Sequence, residues 1–362
     1  MSIADPARVS LLSLTPGGQE LAERIQALWP VKCYCAEKYL KPGFTAFSGS
    51  FAATLAEAFA RDEAIIVIGA CGIVVRTLAP LVQDKLHDPA VLVMDEKGQH
   101  VISLLSGHIG GANELACQLA ARVGATPVIT TATDVNQICA IDVLVKQLGA
   151  TMVDFREAVK VLNQALVSGE KVGIYFDPRT IAWLDLDLNR LDLRGLTQLK
   201  QLSEAGDCDH VLLVSMQQDL GEWSALPNAY HIVPQQLVVG MGCRRDLEPS
   251  LMAQIFAELL HERNWHPLAL TQFASIDVKH DEPAILQLAQ QYYASLSFFS
   301  AAQLNDSGWS GPESEFVRKT VGVGAVSQPS AWIISQGCLV GDTVKQQGMT
   351  FTFGVKKACY TW

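Results

Sequence analysis

Apolar residues in this chain fall into short unbroken runs separated by stretches of helical period, the pattern of buried strands alternating with helices. Ala64-Ile65-Ile66-Val67-Ile68 is one such run; Gly69-Ala70-Cys71-Gly72 follows, and Ile73-Val74-Val75-Arg76-Thr77-Leu78 turns helical. A second strand, Ala90 to Met94, reaches a turn at Asp95-Glu96-Lys97-Gly98. The run Val101 to Leu105 then enters Ser106-Gly107-His108-Ile109-Gly110-Gly111-Ala112-Asn113, with a helix from Glu114 to Val123. A further strand, Val128 to Thr131, ends in Thr130-Thr131-Ala132-Thr133-Asp134. In open parallel sheets ligands sit beyond the carboxyl ends of strands, so these three tips are expected to converge. A helix entered through glycines presents amide donors and its positive dipole end, which suits a carboxylate or phosphate ligand.

The same patterning divides the chain into three α/β units: residues 1–134, a smaller middle unit 135–234, and 235–362. The first and third are expected to be mostly parallel sheets flanked by helices. In the first, Pro16-Gly17-Gly18 opens a helix through Leu28, and Ser48-Gly49-Ser50 opens another through Phe59. The middle unit alternates helix (Glu157 to Val167) with strands (Val172 to Phe176, Val211 to Ser215). Its charged and leucine residues alternate from Asp185 to Asp192, as in a strand or meander with one solvated face.

In the third unit Leu237-Val238-Val239 leads into Gly240-Met241-Gly242-Cys243-Arg244-Arg245, read as a loop, and a helix runs from about Glu248 to His261. A third glycine is missing from the dinucleotide fingerprint here, which demotes nicotinamide and flavin binding. Arg244 and Arg245 at a glycine turn suit carboxylates, with plain surface charge as the alternative. Ser275, Asp277 and Lys279 share a face under strand periodicity, ahead of a helix from Pro283 to Tyr293. No G-x-x-x-x-G-K-[ST] run and no G-x-S-x-G elbow follows any strand.

Composition narrows the partners. The 362 residues are 49% hydrophobic and 18% charged, with a formal charge of −10, so neither nucleic acid nor an anionic membrane surface is the expected partner. Nine cysteines without paired spacing fit reduced thiols and give no structural zinc pattern. The first residues resemble neither a signal peptide nor a membrane span, and a cytoplasmic location is expected. Oligomeric state is not legible.

Taken in order, Gly69 to Arg76, Asp84-Lys85 with Asp88-Pro89-Ala90-Val91, Leu104 to Asn113 and Thr130 to Asp134 resemble the CbiG family of cobalamin biosynthesis, the cobalt-precorrin-5A hydrolases. The third unit resembles that family's C-terminal domain, shared with the CobE proteins, through Val239 to Arg245, Ser275-Ile276-Asp277-Val278-Lys279 and Gly322-Val323-Gly324. The resemblance implies a hydrolase that opens the δ-lactone of a cobalt-bearing tetrapyrrole fringed with carboxylates, with loss of acetaldehyde. No cofactor or protein-bound metal is implied, since cobalt enters within the substrate; neighbouring enzymes of the pathway are candidate partners. The other function considered is a carrier that binds the same intermediate without turning it over.

On that resemblance His108 is the candidate proton shuttle, because imidazole titrates near neutral pH, and Asp134 is a candidate base or orienting partner. Amides around Gly107, Gly110 and Gly111 are candidates for holding an oxyanion. Gly69, Gly72, Arg76, Lys85, Asn113, Thr131, Gly240, Gly242, Arg244, Arg245, Ser275, Asp277 and Lys279 complete the expected substrate contacts. Cys71 is a rival nucleophile at a helix start, although the family usually has threonine there. Gln328 stands where the family usually shows an acid, which puts a C-terminal catalytic role in doubt.

Overall fold

The structure, a computed structural model, describes residues 5–84 and 87–357. It divides into two compact units meeting in sequence between Val143 and Leu144.

The first unit contains β1 (Val9–Ser13), α1 (Pro16–Leu28), β2 (Lys32–Cys35), β3 (Phe44–Ala46), α2 (Phe51–Arg61), β4 (Ala64–Ile68), α3 (Cys71–Leu78), β5 (Ala90–Met94), β6 (His100–Leu105), α4 (Ala112–Val123), β7 (Thr126–Val128) and α5 (Ala132–Val135). Helix α6 (Ile141–Gln147) begins at its end. The seven strands form one sheet in the order β3-β2-β1-β4-β5-β6-β7. Every residue of β1, β4 and β5 is buried, because helices cover both faces. On one face Leu21 and Ile25 of α1 and Leu115 and Leu119 of α4 pack with Leu11, Ile66 and Leu92. On the other, Leu55 of α2 and Val74 and Leu78 of α3 pack with Leu12, Ile65 and Val93. The helices start where their caps dictate: Thr15 accepts the Gly18 N–H at 3.0 Å and Ser50 accepts that of Ala53 at 3.1 Å.

Sheet direction departs from the expected pattern at one place. β1 to β5 run parallel, but β6 is antiparallel to β5, and β7 is parallel to β6. The Asp95–Gly98 turn makes the reversal. The Asp95 carboxylate accepts the N–H groups of Lys97, Gln99 and His100. Burial works against that charge, but the three amides outweigh it and hold the carboxyl below its usual range.

The second unit carries β8 (Ala150–Met152), α7 (Phe155–Ser168), β9 (Val172–Phe176), α8 (Pro178–Leu184), β10 (Leu196–Leu199), β11 (His210–Val214) and β12 (Ala229–Pro234), a sheet ordered β10-β9-β11-β12-β8. The expected strand over 185–192 is not formed. Asp185 ends α8 in a left-handed conformation (φ 54°), and Leu188–Arg190 is a 3-10 turn capped by the Asp187 carboxylate. His231 of β12 places Nε2 3.0 Å from the Ser215 carbonyl, and its ring meets that of His266 edge-on at 5.0 Å.

The remaining elements are β13 (Leu237–Cys243), α9 (Pro249–Glu262), β14 (Leu270–Ile276), α10 (Pro283–Gln291), β15 (Ser295–Phe299), α11 (Ala301–Asn305), α12 (Glu315–Val321), α13 (Ser327–Ile334), β16 (Val344–Gln346) and β17 (Met349–Val355). Their sheet runs β15-β14-β13-β17-β16, around a core where Phe256 packs against Phe273, Phe351 and Phe353. Gly240 and Gly242 lie inside β13, not in a loop. A Cβ on Gly240 would stand 1.9 Å from the Ser327 carbonyl oxygen, so its glycine is required by the close approach of α13.

Candidate functional site

The strand reversal decides which residues meet. Ile68 pairs with Met94 and Met94 with Val101, whereas Val91 pairs with Leu105. The carboxyl end of β4, with Gly69, Gly72 and Arg76 beyond it, therefore lies at the opposite end of the sheet from the carboxyl ends of β6 and β7. The expected convergence of three tips reduces to two: the 106–113 loop and the 130–134 segment. The chain leading into β5 joins them, because Ser106 Oγ donates to the Asp88 carbonyl at 2.8 Å.

The 106–111 loop is folded tightly on itself. Ser106 is left-handed (φ 57°). The N–H groups of Gly111, Ala112 and Asn113 donate to the carbonyls of His108, Ser106 and Gly107 at 2.9, 3.1 and 3.0 Å. The Gly111 amide is thus committed within the loop. A Cβ on Gly110 would come 2.4 Å from the Ser106 Cβ, so the fold admits only glycine there without displacement.

His108 Nε2 stands 2.8 Å from Thr133 Oγ1 and 3.2 Å from Asp134 Oδ2, while Asp142 Oδ2 lies 3.9 Å from Nδ1. Asn113, buried on the first turn of α4, donates Nδ2 to Thr131 Oγ1 at 2.8 Å and to Asp134 Oδ2 at 2.9 Å; Thr131 Oγ1 also donates to Asp134 Oδ2. Two neutral donors and an imidazole thus surround one carboxylate oxygen, which fixes the ring and carboxylate relative to each other. The side chains of His108 and Asp134 keep 23% and 39% of their exposure, so solvent reaches the pair. Nearby, the Cys117 thiol is pushed up by burial and then by the charges of Asp134 and Glu114. An imidazole held between carboxylates at a glycine loop can take up and return a proton.

The other expected contacts are placed elsewhere. At the opposite end of the sheet the Gly69 N–H donates to the Met94 carbonyl at 2.9 Å. The exposed Arg76 turns back to donate to the Gly72 carbonyl at 3.3 Å, and Cys71 begins α3 there. Lys85 lies outside the described residues. In the second unit Gly240 serves packing, and Gly242 follows it in β13. Ser275 is fully buried and donates to the Met241 carbonyl at 2.8 Å. Buried Lys279 is paired with buried Glu282 at 2.9 Å, and exposed Arg245 pairs with Asp281 at 2.5 Å. These groups satisfy internal bonds. Arg244 is exposed, its N–H donating to the Gly348 carbonyl, and exposed Asp277 opens a 3-10 turn. Cys243 is pushed up to about 11, chiefly by burial.

Thr133 and Asp142 were not singled out by the sequence patterns. Thr133 lies within the hydroxyl-rich tip that was, whereas Asp142 carried no signal beyond an acid in the first turn of a helix.

Comparison with known proteins supplies the family. The model described as "Cobalamin synthesis G N-terminal" matches residues 53–134, "Cobalamin biosynthesis central region" matches 139–232, and "Cobalamin synthesis G C-terminus" matches 237–354. The chain is 47% identical to the cobalt-precorrin-5A hydrolase of Salmonella typhimurium, over 98% of this chain and 99% of that one. It is 30% identical to the cobalt-precorrin-5A hydrolase of Priestia megaterium, over 96% and 94% respectively. A solved structure of CobE, a protein from the cobalamin (vitamin B12) biosynthetic pathway, aligns with 34% of this chain and 92% of its own at 25% identity and a TM-score of 0.31. With all three regional models matched in order and a full-length relative at 47% identity, the chain belongs to the cobalamin synthesis G family.

Proposed function

We propose that the chain is a cobalt-precorrin-5A hydrolase, opening the δ-lactone of its cobalt tetrapyrrole substrate to give cobalt-precorrin-5B with release of acetaldehyde, and that His108 carries the proton transfer. The name of the full-length relative supports the reaction. The observation that carries the residue assignment is the contact of His108 Nε2 with Thr133 and Asp134 beside a tight glycine loop. Cobalt arrives within the substrate in this proposal.

Water attacks the lactone carbonyl while His108 accepts its proton, and the ring returns a proton to the departing alkoxide. Asp134, fixed by Asn113 and Thr131, steadies the imidazolium formed in between. We assign the developing oxyanion to the amides of Gly107 and Gly110, since that of Gly111 is spent on His108. Arg76 stands at the other end of the sheet, so it is given no contact with the reacting carbonyl.

The test is incubation of the purified protein with cobalt-precorrin-5A while trapping acetaldehyde. Release that is lost in His108→Ala supports the proposal; binding of the tetrapyrrole without acetaldehyde in the native protein would make the chain a carrier.

A further inference from the structure

We infer that Asp142 is a positioning residue for His108, holding the Nδ1 proton so that Nε2 is the nitrogen free to accept. The inference rests on His108 being the working base.

The imidazole lies between two carboxylates in different surroundings. Asp134 Oδ2, at the Nε2 edge, already receives hydrogen bonds from Asn113 and Thr131, and its side chain is 39% exposed, so water screens it. The Asp142 side chain, at the Nδ1 edge, is 4% exposed. A charge shielded from water acts on a neighbour 3.9 Å away with less loss than an exposed one. The Thr133 hydroxyl, 2.8 Å from Nε2 and itself buried, supplies a donor on that edge, which again leaves the ring proton to Nδ1. Geometry thus separates the roles: one nitrogen is kept protonated by the buried acid, and the other stays an acceptor.

The placement depends on α6. Asp142 is the second residue of that helix, directly after the buried Cys139-Ala140-Ile141 segment. Backbone packing, not a flexible stem, therefore brings the carboxylate to the ring. The other charged or titratable groups close by are Asp134 on α5, Cys117 and Glu114 on α4, and Asp88 before β5, whose carboxylate is engaged by the N–H groups of Gln83 and Asp84. Asp142 alone among them lies within 4 Å of Nδ1 in the described residues.

The test uses the full-length protein labelled with 15N-histidine, the His108 signals being assigned by their loss in His108→Gln. In the native protein the neutral ring is expected to carry its proton on Nδ1; a neutral ring protonated on Nε2 overturns the inference without any variant. In Asp142→Asn the titration midpoint of the His108 ring should move to lower pH by about one unit, because a stabilising negative charge is gone. Turnover should fall ~10- to 100-fold with KM within about twofold, and the pH–rate profile should shift the same way. Asp142→Glu should recover part of both. Lost turnover with an unmoved His108 midpoint would show a merely structural role and overturn the inference. A shifted midpoint in a protein that releases no acetaldehyde would leave the Asp142–His108 coupling standing and sink the hydrolase assignment instead.

Discussion

Ile68 and Leu105, the last residues of β4 and β6, end at opposite edges of one sheet, because β6 runs against β5. The first glycine segment and the histidine loop are therefore separate features, and their variants should behave differently. His108→Ala should cut acetaldehyde release ~10²- to 10⁴-fold, the usual worth of a general base. Arg76→Ala should stay within about threefold of native, since its guanidinium contacts only its own helix among the described residues. Equal losses in the two variants would contradict this division.

Gly110→Ala tests the loop. The added methyl would collide with Ser106, whose carbonyl accepts the Ala112 N–H that starts α4. A cost of about 1–3 kcal/mol is expected, as for other forced overpacking, together with a large loss of turnover. Urea unfolding and acetaldehyde trapping on the same preparation measure both; a variant as active as native would mean that the loop's shape is not needed.

The buried pair in the second unit should be costly to break from one side. Lys279→Met leaves Glu282 charged and fully buried, and should destabilise by roughly 3–5 kcal/mol. Arg245→Ala removes an exposed partner of Asp281 and should cost under about 1 kcal/mol. Denaturant midpoints compare them, and similar losses would refute the distinction.

Acid should weaken the second unit through its histidine pair. Burial, and then the neighbouring His231, push His266 down to about 4; burial likewise lowers His231, against the Ser215 carbonyl. The unfolded chain takes up the His266 proton below about pH 6.5, while the folded one resists until about 4. Stability contributed by the neutral ring is thus whole above 6.5 and is lost as pH falls toward 4. Between pH 7.5 and 5 this amounts to about 2 kcal/mol. Unfolding midpoints at both pH values should drop more for the native protein than for His266→Gln.

Much of this was legible in sequence. Ala64–Ile68 and Ala90–Met94 read as strands because a strand covered on both faces leaves an unbroken apolar run. The direction of β6 was also available, since a connection as short as Asp95–Gly98 permits only a hairpin; parallel strands need a crossover of a dozen residues or more. Gly240 and Gly242 were read as a loop, yet glycine within an apolar run marks a close neighbour as readily as a turn. His108 and Asp134 stood out by residue type at strand tips. Asp142 did not, because its meeting with the ring is made by tertiary packing across the start of α6, which no local pattern encodes.

The Asp95–Gly98 turn touches none of the catalytic candidates, yet it fixes the register in which β6 lies against β5. A slip of one residue there would turn every β6 side chain to the opposite face and drag the attached imidazole out of reach of Thr133. The address of the reactive group is therefore written at the far end of its own strand, and substitutions at Asp95 can silence the enzyme without altering a single atom near its substrate.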